Sequence, residues 1–524
     1  MSDPAAPSSP ADGTLPDRRL PVPVIRARRR GPHQIDLVLA VGQRDEPPYL
    51  AGITHLAEHL LIRLAGSDAT FKDGETGLST VIFSTTGTAE GCLDFARRIT
   101  AAIAEVDQLT DDEVALELSI VEREDPLRFH ETIPSLSTIR WGFSGAGMYG
   151  AGCSTLPTLT RDDVVSWVRR WFTGDHAAVV LTGPWDDDAE PGLELPGPPS
   201  DRRRRPVDPT SIETPVAVPT SLGGAALSLV VPVAMAPSLG HAAELEFFLQ
   251  LRHDRGLAYQ VEVMTERIDA DTVQLDVVVG AGTDRAREAA VALVDLARRL
   301  GHEGFSSIAI DRARLSATLT MADEDARAEL DARDAVRSLL LGDPATDAAV
   351  DLSEASHVDG EDLRTAWSSA LRTAVVMVDE DTDLGDPEEF ARALGMPFDD
   401  LTPSIELRAS EATRAMRGHR TWRNSVVPIL ASDRVGIVDD RLVVRSGDRG
   451  WAVGLGDVAV AVASDEEVVL VMGDGRRLRI ERDGWFRGAS LVATTVAAVE
   501  RLAPERLRRV PAASPGSVEA TART

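Results

Sequence analysis

The sequence predicts an α+β chain: two like units of sheet backed by helices, then a small strand-rich module closed by a helix. Three observations carry that expectation. A strand–helix–helix order occurs twice along the chain. A breaker, PGPPSDRRRRPVDP (196–209), separates the two occurrences. Beyond residue 425 the helical spacing gives way to short strands divided by turn signals.

Residues 1–21 are rich in Pro, Ala and Ser and predict a disordered tail. The first unit, 22–195, opens with a strand at His33–Val41, and GITHLAEHLLIRL then has the apolar spacing of a buried helix. A strand at Ser79–Thr86 leads into a helix from Ala89 to about Val106, whose inward stripe holds Cys92, Phe95, Ile99 and Ile103. The acidic segment DDEVALELSIVERED reads as a further helix, and Ala177–Thr182 as the last strand. Residues 196–212 read as a linker. The second unit, 213–385, repeats the order with a strand at Thr272–Val279 and a helix at Asp284–Leu300, where Ala289, Ala292, Leu293 and Leu296 face inward. Helical Ser306–Leu341 and a strand at Ala374–Val378 complete it, and 386–425 read as a second linker.

In 426–511, strands are expected at Val435–Val438, Leu442–Arg445, Ala452–Leu455, Val458–Ala463 and Glu467–Met472. A Gly473-Asp474-Gly475 turn leads to Arg477–Glu481, and a helix from about Ser490 to Leu502 follows. The pattern resembles a pleckstrin-homology-like small β-barrel, though an SH3-like barrel fits it as well; 512–524 are a tail. No basic cluster is concentrated on one loop, so a protein-contact or capping role is expected. The module shares no motif with the zinc site, lies beyond a long linker and is expected to be dispensable for chemistry but not for assembly or recruitment.

The formal charge of −29 argues against nucleic acid or an anionic membrane as partner, since both require a basic face. The charge is uneven: from Gly418 onward 16 Arg oppose 14 acids, which leaves the excess of acid on the first 417 residues. Two cysteines, Cys92 and Cys153, imply neither a disulfide framework nor a Cys-type metal site. The opening MSDPAAPSSPADGTLPD lacks the apolar core of a signal peptide. The longest apolar run, Ala225–Leu239, contains two prolines and is too short to cross a bilayer. A cytoplasmic location without a membrane span is therefore expected.

Chemistry enters at His55-Leu56-Ala57-Glu58-His59. Positions i and i+4 of a helix lie one above the other, so both imidazoles face the same way with Glu58 beside them. Two neutral imidazoles and one further ligand make a catalytic zinc site with an open position, and the adjacent carboxylate can take a proton from the attacking water. The order His-x-x-Glu-His is the inverted zincin arrangement. A third ligand is available downstream, where Glu117 and Glu124 stand two helical turns apart and share a face. Glu124 can complete a His-His-Glu set, and Glu117 can fix a ligand imidazole from behind. By themselves these carboxylates would read as a solvated acidic face.

With these motifs in this order, the chain resembles the insulinase–pitrilysin metallopeptidases, in the short two-domain form similar to mitochondrial processing peptidase. The resemblance implies two homologous peptidase domains, zinc bound by His55, His59 and Glu124, Glu58 as general base, and Glu117 behind the ligands. The stretch 143–183 is similar to the family's close of the catalytic domain. Leu251-Arg252-His253-Asp254-Arg255-Gly256-Leu257-Ala258-Tyr259 resembles the family's Leu-Arg…Gly-Leu-x-Tyr segment. There the Arg is implied to hold a substrate carbonyl and the Tyr hydroxyl to donate to the developing oxyanion. Without the zinc motif, the same segment would read as a helix end capped by Gly256 with a buried Tyr. The second unit lacks His-x-x-Glu-His, as in the family.

One stretch departs from the family pattern. Arg63 to Leu78 is about a dozen residues short, where a helix and a substrate-lining edge strand with an Asn-Ala pair are usual; here only GSDATFKDGETGL is found. The implied function is a zinc endopeptidase that encloses peptides or small unfolded polypeptides in a dimeric chamber, as a homodimer or with a paralogue. Two alternatives stay open: leader-peptide processing with a paralogous partner, and a non-catalytic scaffold.

Overall fold

A computed structural model describes residues 19–66, 71–124, 135–151, 155–197, 212–220, 223–401, 405–424 and 433–510. Most of both expected tails, most of the 196–212 linker, and Cys153 lie outside the described residues.

In the first unit, β1 (Arg19–Pro21) precedes β2 (Val24–Ala27) and β3 (His33–Leu39), and α1 (Ile53–Leu64) follows. Next come β4 (Phe71–Thr76), β5 (Val81–Gly87), α2 (Ala89–Ala104), α3 (Asp111–Glu124), α4 (Leu136–Trp141), α5 (Arg161–Trp171), β6 (Ala177–Thr182) and β7 (Glu194–Pro196). The sheet order is β2-β6-β3-β5-β4, with β2 and β6 parallel and the other pairs antiparallel; β1 and β7 form a separate ribbon. The second unit runs β8 (Val216–Thr220), β9 (Gly224–Pro232), α6 (Ala236–Phe247), β10 (Gln260–Arg267), β11 (Thr272–Gly280), α7 (Ala286–Glu303) and α8 (Ser307–Ala322). It continues through α9 (Glu324–Leu341), α10 (Ala348–Ser356), α11 (Gly360–Ala370) and β12 (Val375–Asp379). Its sheet order is β8-β12-β9-β11-β10, again with the first pair parallel. The two sheets match strand for strand, whereas the sequence pattern marks only β3, β5 and β6 of the first and β11 and β12 of the second.

Each sheet is covered on both faces, one by its own helices and one by a helix of the other unit. On β3, alternation sends Ile35, Leu37 and Leu39 toward Leu56 and Leu60 of α1 and toward Phe95 and Ile99 of α2. Val38 points the opposite way and joins Ala178 and Val180 against Ala332, Val336 and Leu340 of α9. In return, Ile139 of α4 packs on Val216, Val218, Val375 and Met377 of the second sheet. Each such buried aliphatic side chain contributes about 1.5–3 kcal/mol, so this exchange of helices ties the units together. Between them, the fully buried Arg140 donates to Ser228 Oγ (3.2 Å) and to the carbonyls of Ser228 and Thr373 (both 2.7 Å). Burial pushes the Arg140 pKa down to about 10, against the charge of Asp276.

The structure corrects three expectations. Ser306–Leu341 is two helices, because Asp323 ends α8 and its carboxylate accepts from the amides of Asp325 and Ala326 to cap α9. The edge strand between α1 and β5 is present as β4, paired with β5 from Phe71↔Thr86 to Thr76↔Val81, so the shortening keeps the strand, and no helix stands between α1 and β4 among the described residues.

The segment 386–425, expected as a linker, carries α12 (Pro387–Leu394), β13 (Ile405–Arg408), α13 (Ala409–Ala415) and β14 (Thr421–Arg423). It is followed by β15 (Arg434–Val438), β16 (Arg441–Ser446), β17 (Arg449–Gly454), β18 (Val458–Ala463), β19 (Glu467–Met472), β20 (Arg477–Glu481), α14 (Gly488–Leu502) and β21 (Leu507–Arg509). β13 and β14 flank the β15–β17 meander, in the order β13-β17-β16-β15-β14; these short segments become strands only through those ladders. A second sheet, β20-β19-β18-β21, shares one core with it and with α14. No ladder closes the two sheets into a barrel among the described residues.

The C-terminal module also makes contacts that bear on its expected dispensability. Val460, Val469 and Val471 of the C-terminal module pack on Ala51, Phe143, Met148 and Ala151 of the first unit. Buried Arg477 donates to the Ala151 carbonyl (2.8 Å), and Arg508 pairs with Asp163 (2.8 Å). Ala51 stands immediately before the Gly52 that begins α1, so the module supports the N-terminal approach to that helix.

Candidate metal and catalytic site

α1 starts at Gly52, whose φ of +93° is a left-handed conformation that glycine adopts without a side-chain clash. The first amides of a helix lack intrahelical partners. Here the buried Glu46 carboxylate accepts from the amides of Gly52 (2.8 Å) and Thr54 (2.9 Å). Its negative charge also sits at the positive end of the helix dipole. Burial nevertheless pushes the Glu46 carboxyl up to about 7. With its start fixed, α1 buries Leu56, Leu60 and Leu61 and turns His55 and His59 to the opposite side.

α3 crosses that side and brings Glu124 to the imidazoles. His59 Nε2 lies 3.2 Å from His55 Nε2 and 3.3 Å from Glu124 Oε2, and His55 Nε2 lies 3.4 Å from the same oxygen. A tetrahedral zinc with bonds of about 2.0–2.1 Å spaces its ligand atoms by about 3.3–3.4 Å, so the donor triangle fits that ion. Among the described residues it is the one group of His, Cys, Asp and Glu so placed. Glu117, one face-repeat earlier, is buried, and His59 Nδ1 donates to it (3.2 Å). That bond puts the proton on Nδ1 and leaves the Nε2 lone pair for a cation. Arg63 in turn donates to Glu117.

Glu58 faces the edge strand. It is 4% exposed, and Thr76 of β4 donates its hydroxyl to Glu58 Oε2 (2.7 Å). Gly74 leaves the room the carboxylate occupies, since a Cβ there would stand 2.2 Å from Glu58 Oε1. Burial pushes the Glu58 carboxyl up to about 7; the Thr76 bond and His59 act against that shift, and Glu124 and Asp73 add to it. A carboxyl poised there can accept and return a proton near neutral pH.

The remaining expected residues lie elsewhere. Arg252 sits in a π-helical turn (Phe248–Asp254) that continues α6, with its guanidinium 5.2 Å over the Phe248 ring. Tyr259 is 65% exposed beside Gly280, which removes the buried-Tyr alternative. No hydrogen bond, ion pair or ring contact joins either residue to His55, Glu58, His59, Glu117 or Glu124 among the described residues. Sequence reasoning missed Glu46, Arg63, Gly74 and Thr76. Of these only Arg63, four residues after His59 on the same helix face, had a local signal.

No protein-family model matches the chain, and no curated protein matches it in sequence. Solved structures do match in fold. A protease from Helicobacter pylori is 13% identical with a TM-score of 0.56, over 70% of this chain and 99% of that one. The first half of the periplasmic protease PqqL from Escherichia coli is 12% identical with a TM-score of 0.51, over 74% and 97%. A peptidase M16 inactive domain from Pseudomonas fluorescens is 11% identical with a TM-score of 0.52, over 69% and 97%. The fold is therefore that of the M16 peptidases, the insulinase–pitrilysin architecture expected from the motifs. That fold occurs in a protease and in an inactive domain alike, so activity has to be argued from the site. No helix among the described residues is long and apolar enough to cross a membrane.

Proposed function

We propose that the protein is a zinc-dependent endopeptidase acting on peptides or small unfolded polypeptides. The observation that carries this reading is the triangle of His55, His59 and Glu124 at 3.2–3.4 Å, with Glu58 buried beside it. A zinc ion held there would supply a Lewis acid for the scissile carbonyl. Glu58 takes the proton of the attacking water and delivers it to the leaving amine. Glu117 and Arg63 hold His59 in the ligating tautomer, and Thr76 and Gly74 set the direction of the Glu58 carboxylate. Metal analysis is expected to find about one zinc per chain, and His59→Ala to lose it. A zinc-free, folded wild type that cleaves nothing in an unstructured peptide library would refute the proposal.

The chamber is proposed to close between two copies. The chain matches 97% of the first half of PqqL but 56% of the whole protein, which supports a half-chamber. Arg252 and Tyr259 would then reach the zinc site of the other subunit, with Arg252 on the substrate carbonyl and Tyr259 donating to the oxyanion. Mixing Glu58→Gln with Tyr259→Phe chains is expected to restore about a quarter of wild-type activity, since half the random dimers are mixed and each has one intact site. Subunit exchange, shown by tagged pull-down, without recovery would mean that the pair works in cis or that the partner is a paralogue.

A further inference from the structure

We infer that the outer sheet of the C-terminal module carries a binding pocket for a small ligand bearing two or more phosphoryl groups. A cavity of about 420 Å³ is lined by Ser410, Thr413 and Arg414 of α13, by Arg417 just after it, and by Arg445 of β16. α13 lies on one face of this sheet, with Ala412 and Met416 against Val443 and Ala452. Strand register puts more positive charge on that face. Arg423, Arg434 and Arg445 stand directly opposite one another across β14, β15 and β16. Like charges in such cross-strand positions repel, so the ladder costs stability unless an anion offsets it.

Acids do not supply that offset. In a chain of 84 acidic residues, Arg414, Arg417, Arg423, Arg434 and Arg445 make no ion pair or side-chain hydrogen bond among the described residues. The nearby carboxylates are otherwise engaged: Glu411 accepts from the Arg408 amide, Glu406 pairs with Arg449, and Asp433 accepts from the Gly447 amide. Guanidinium forks and hydroxyls together match phosphoryl oxygens, which accept several charge-assisted hydrogen bonds at once. The net charge of −29 disfavours a long polyanion, and the cavity size suits a compact one. Arg414, Arg417 and Arg423 fall within ten residues of sequence, and the strand ladder adds Arg434 and Arg445 to them.

The test uses the full chain with its metal. Isothermal titration with inorganic tripolyphosphate is expected to show saturable, salt-sensitive binding. Arg414→Ala and Arg445→Ala, each confirmed folded by circular dichroism, are each expected to weaken it about tenfold, the scale of one charge-assisted hydrogen bond. Co-sedimentation with phosphatidylcholine vesicles, with and without phosphatidylinositol bisphosphate, separates the sources. Retention only on the acidic vesicles indicates a lipid headgroup, and binding of tripolyphosphate alone indicates a soluble ligand; either supports the pocket. Absence of binding to both probes overturns the inference. So does binding that is equal in wild type and both variants, which would put the anion elsewhere, for instance at the metal site.

Discussion

Replacing Glu58 by Gln is expected to lower peptide hydrolysis by about 10²–10⁴-fold while zinc stays bound, because the base is removed and the three ligands are untouched. The amide keeps the volume of the carboxylate in a site that is 4% exposed, so folding should change little. It also keeps an acceptor for the Thr76 hydroxyl. A companion change acts on the same group from the strand side. In Gly74→Ala the new Cβ would meet Glu58 Oε1 at 2.2 Å and Cδ at 2.6 Å, so the carboxylate must turn from its present direction. The expected result is a loss of turnover of about tenfold or more with zinc content unchanged, since proton transfer depends on reach before pKa. The measurements are turnover on an unstructured peptide and metal content of the same preparation. Wild-type turnover in Glu58→Gln would remove Glu58 from the mechanism, whatever the metal content.

Removing residues 402–524 is expected to destabilise the whole protein rather than trim an accessory. The cut exposes Phe143, Met148 and Ala151, which now pack on Val460, Val469 and Val471. Phe143→Ala in the full chain isolates part of the effect and should cost about 3–5 kcal/mol, the range for emptying a buried aromatic site. Arg477→Ala should cost about 1–3 kcal/mol, because it leaves the Ala151 carbonyl without its donor. Urea unfolding of the variants and zinc binding by the truncated chain give the readings. A truncated chain with the wild-type midpoint, zinc content and turnover would show that the module is dispensable, as its lack of shared motifs first suggested.

The sequence by itself determined those features whose signal is local. His55, Glu58 and His59 lie within one helical turn and Glu117 and Glu124 within two, so periodicity alone puts each set on a face. The repeated strand–helix order likewise pointed to two like units, although its pattern marks only β3, β5 and β6 of the first sheet and β11 and β12 of the second. Tertiary structure decided what depends on groups far apart in the chain. It brought α3 across α1 to place Glu124 within 3.4 Å of both imidazoles, and it turned Glu58 toward Gly74 and Thr76 on a strand, FKDGET, that lacks the apolar alternation of a strand in the sequence. It converted the expected linker at 386–425 into edge strands, because a strand of three or four residues is held by its neighbours and not by its own pattern. It also gathered Arg414, Arg417 and Arg445 at one cavity and exposed Tyr259, since burial and charge proximity are set by packing across the chain.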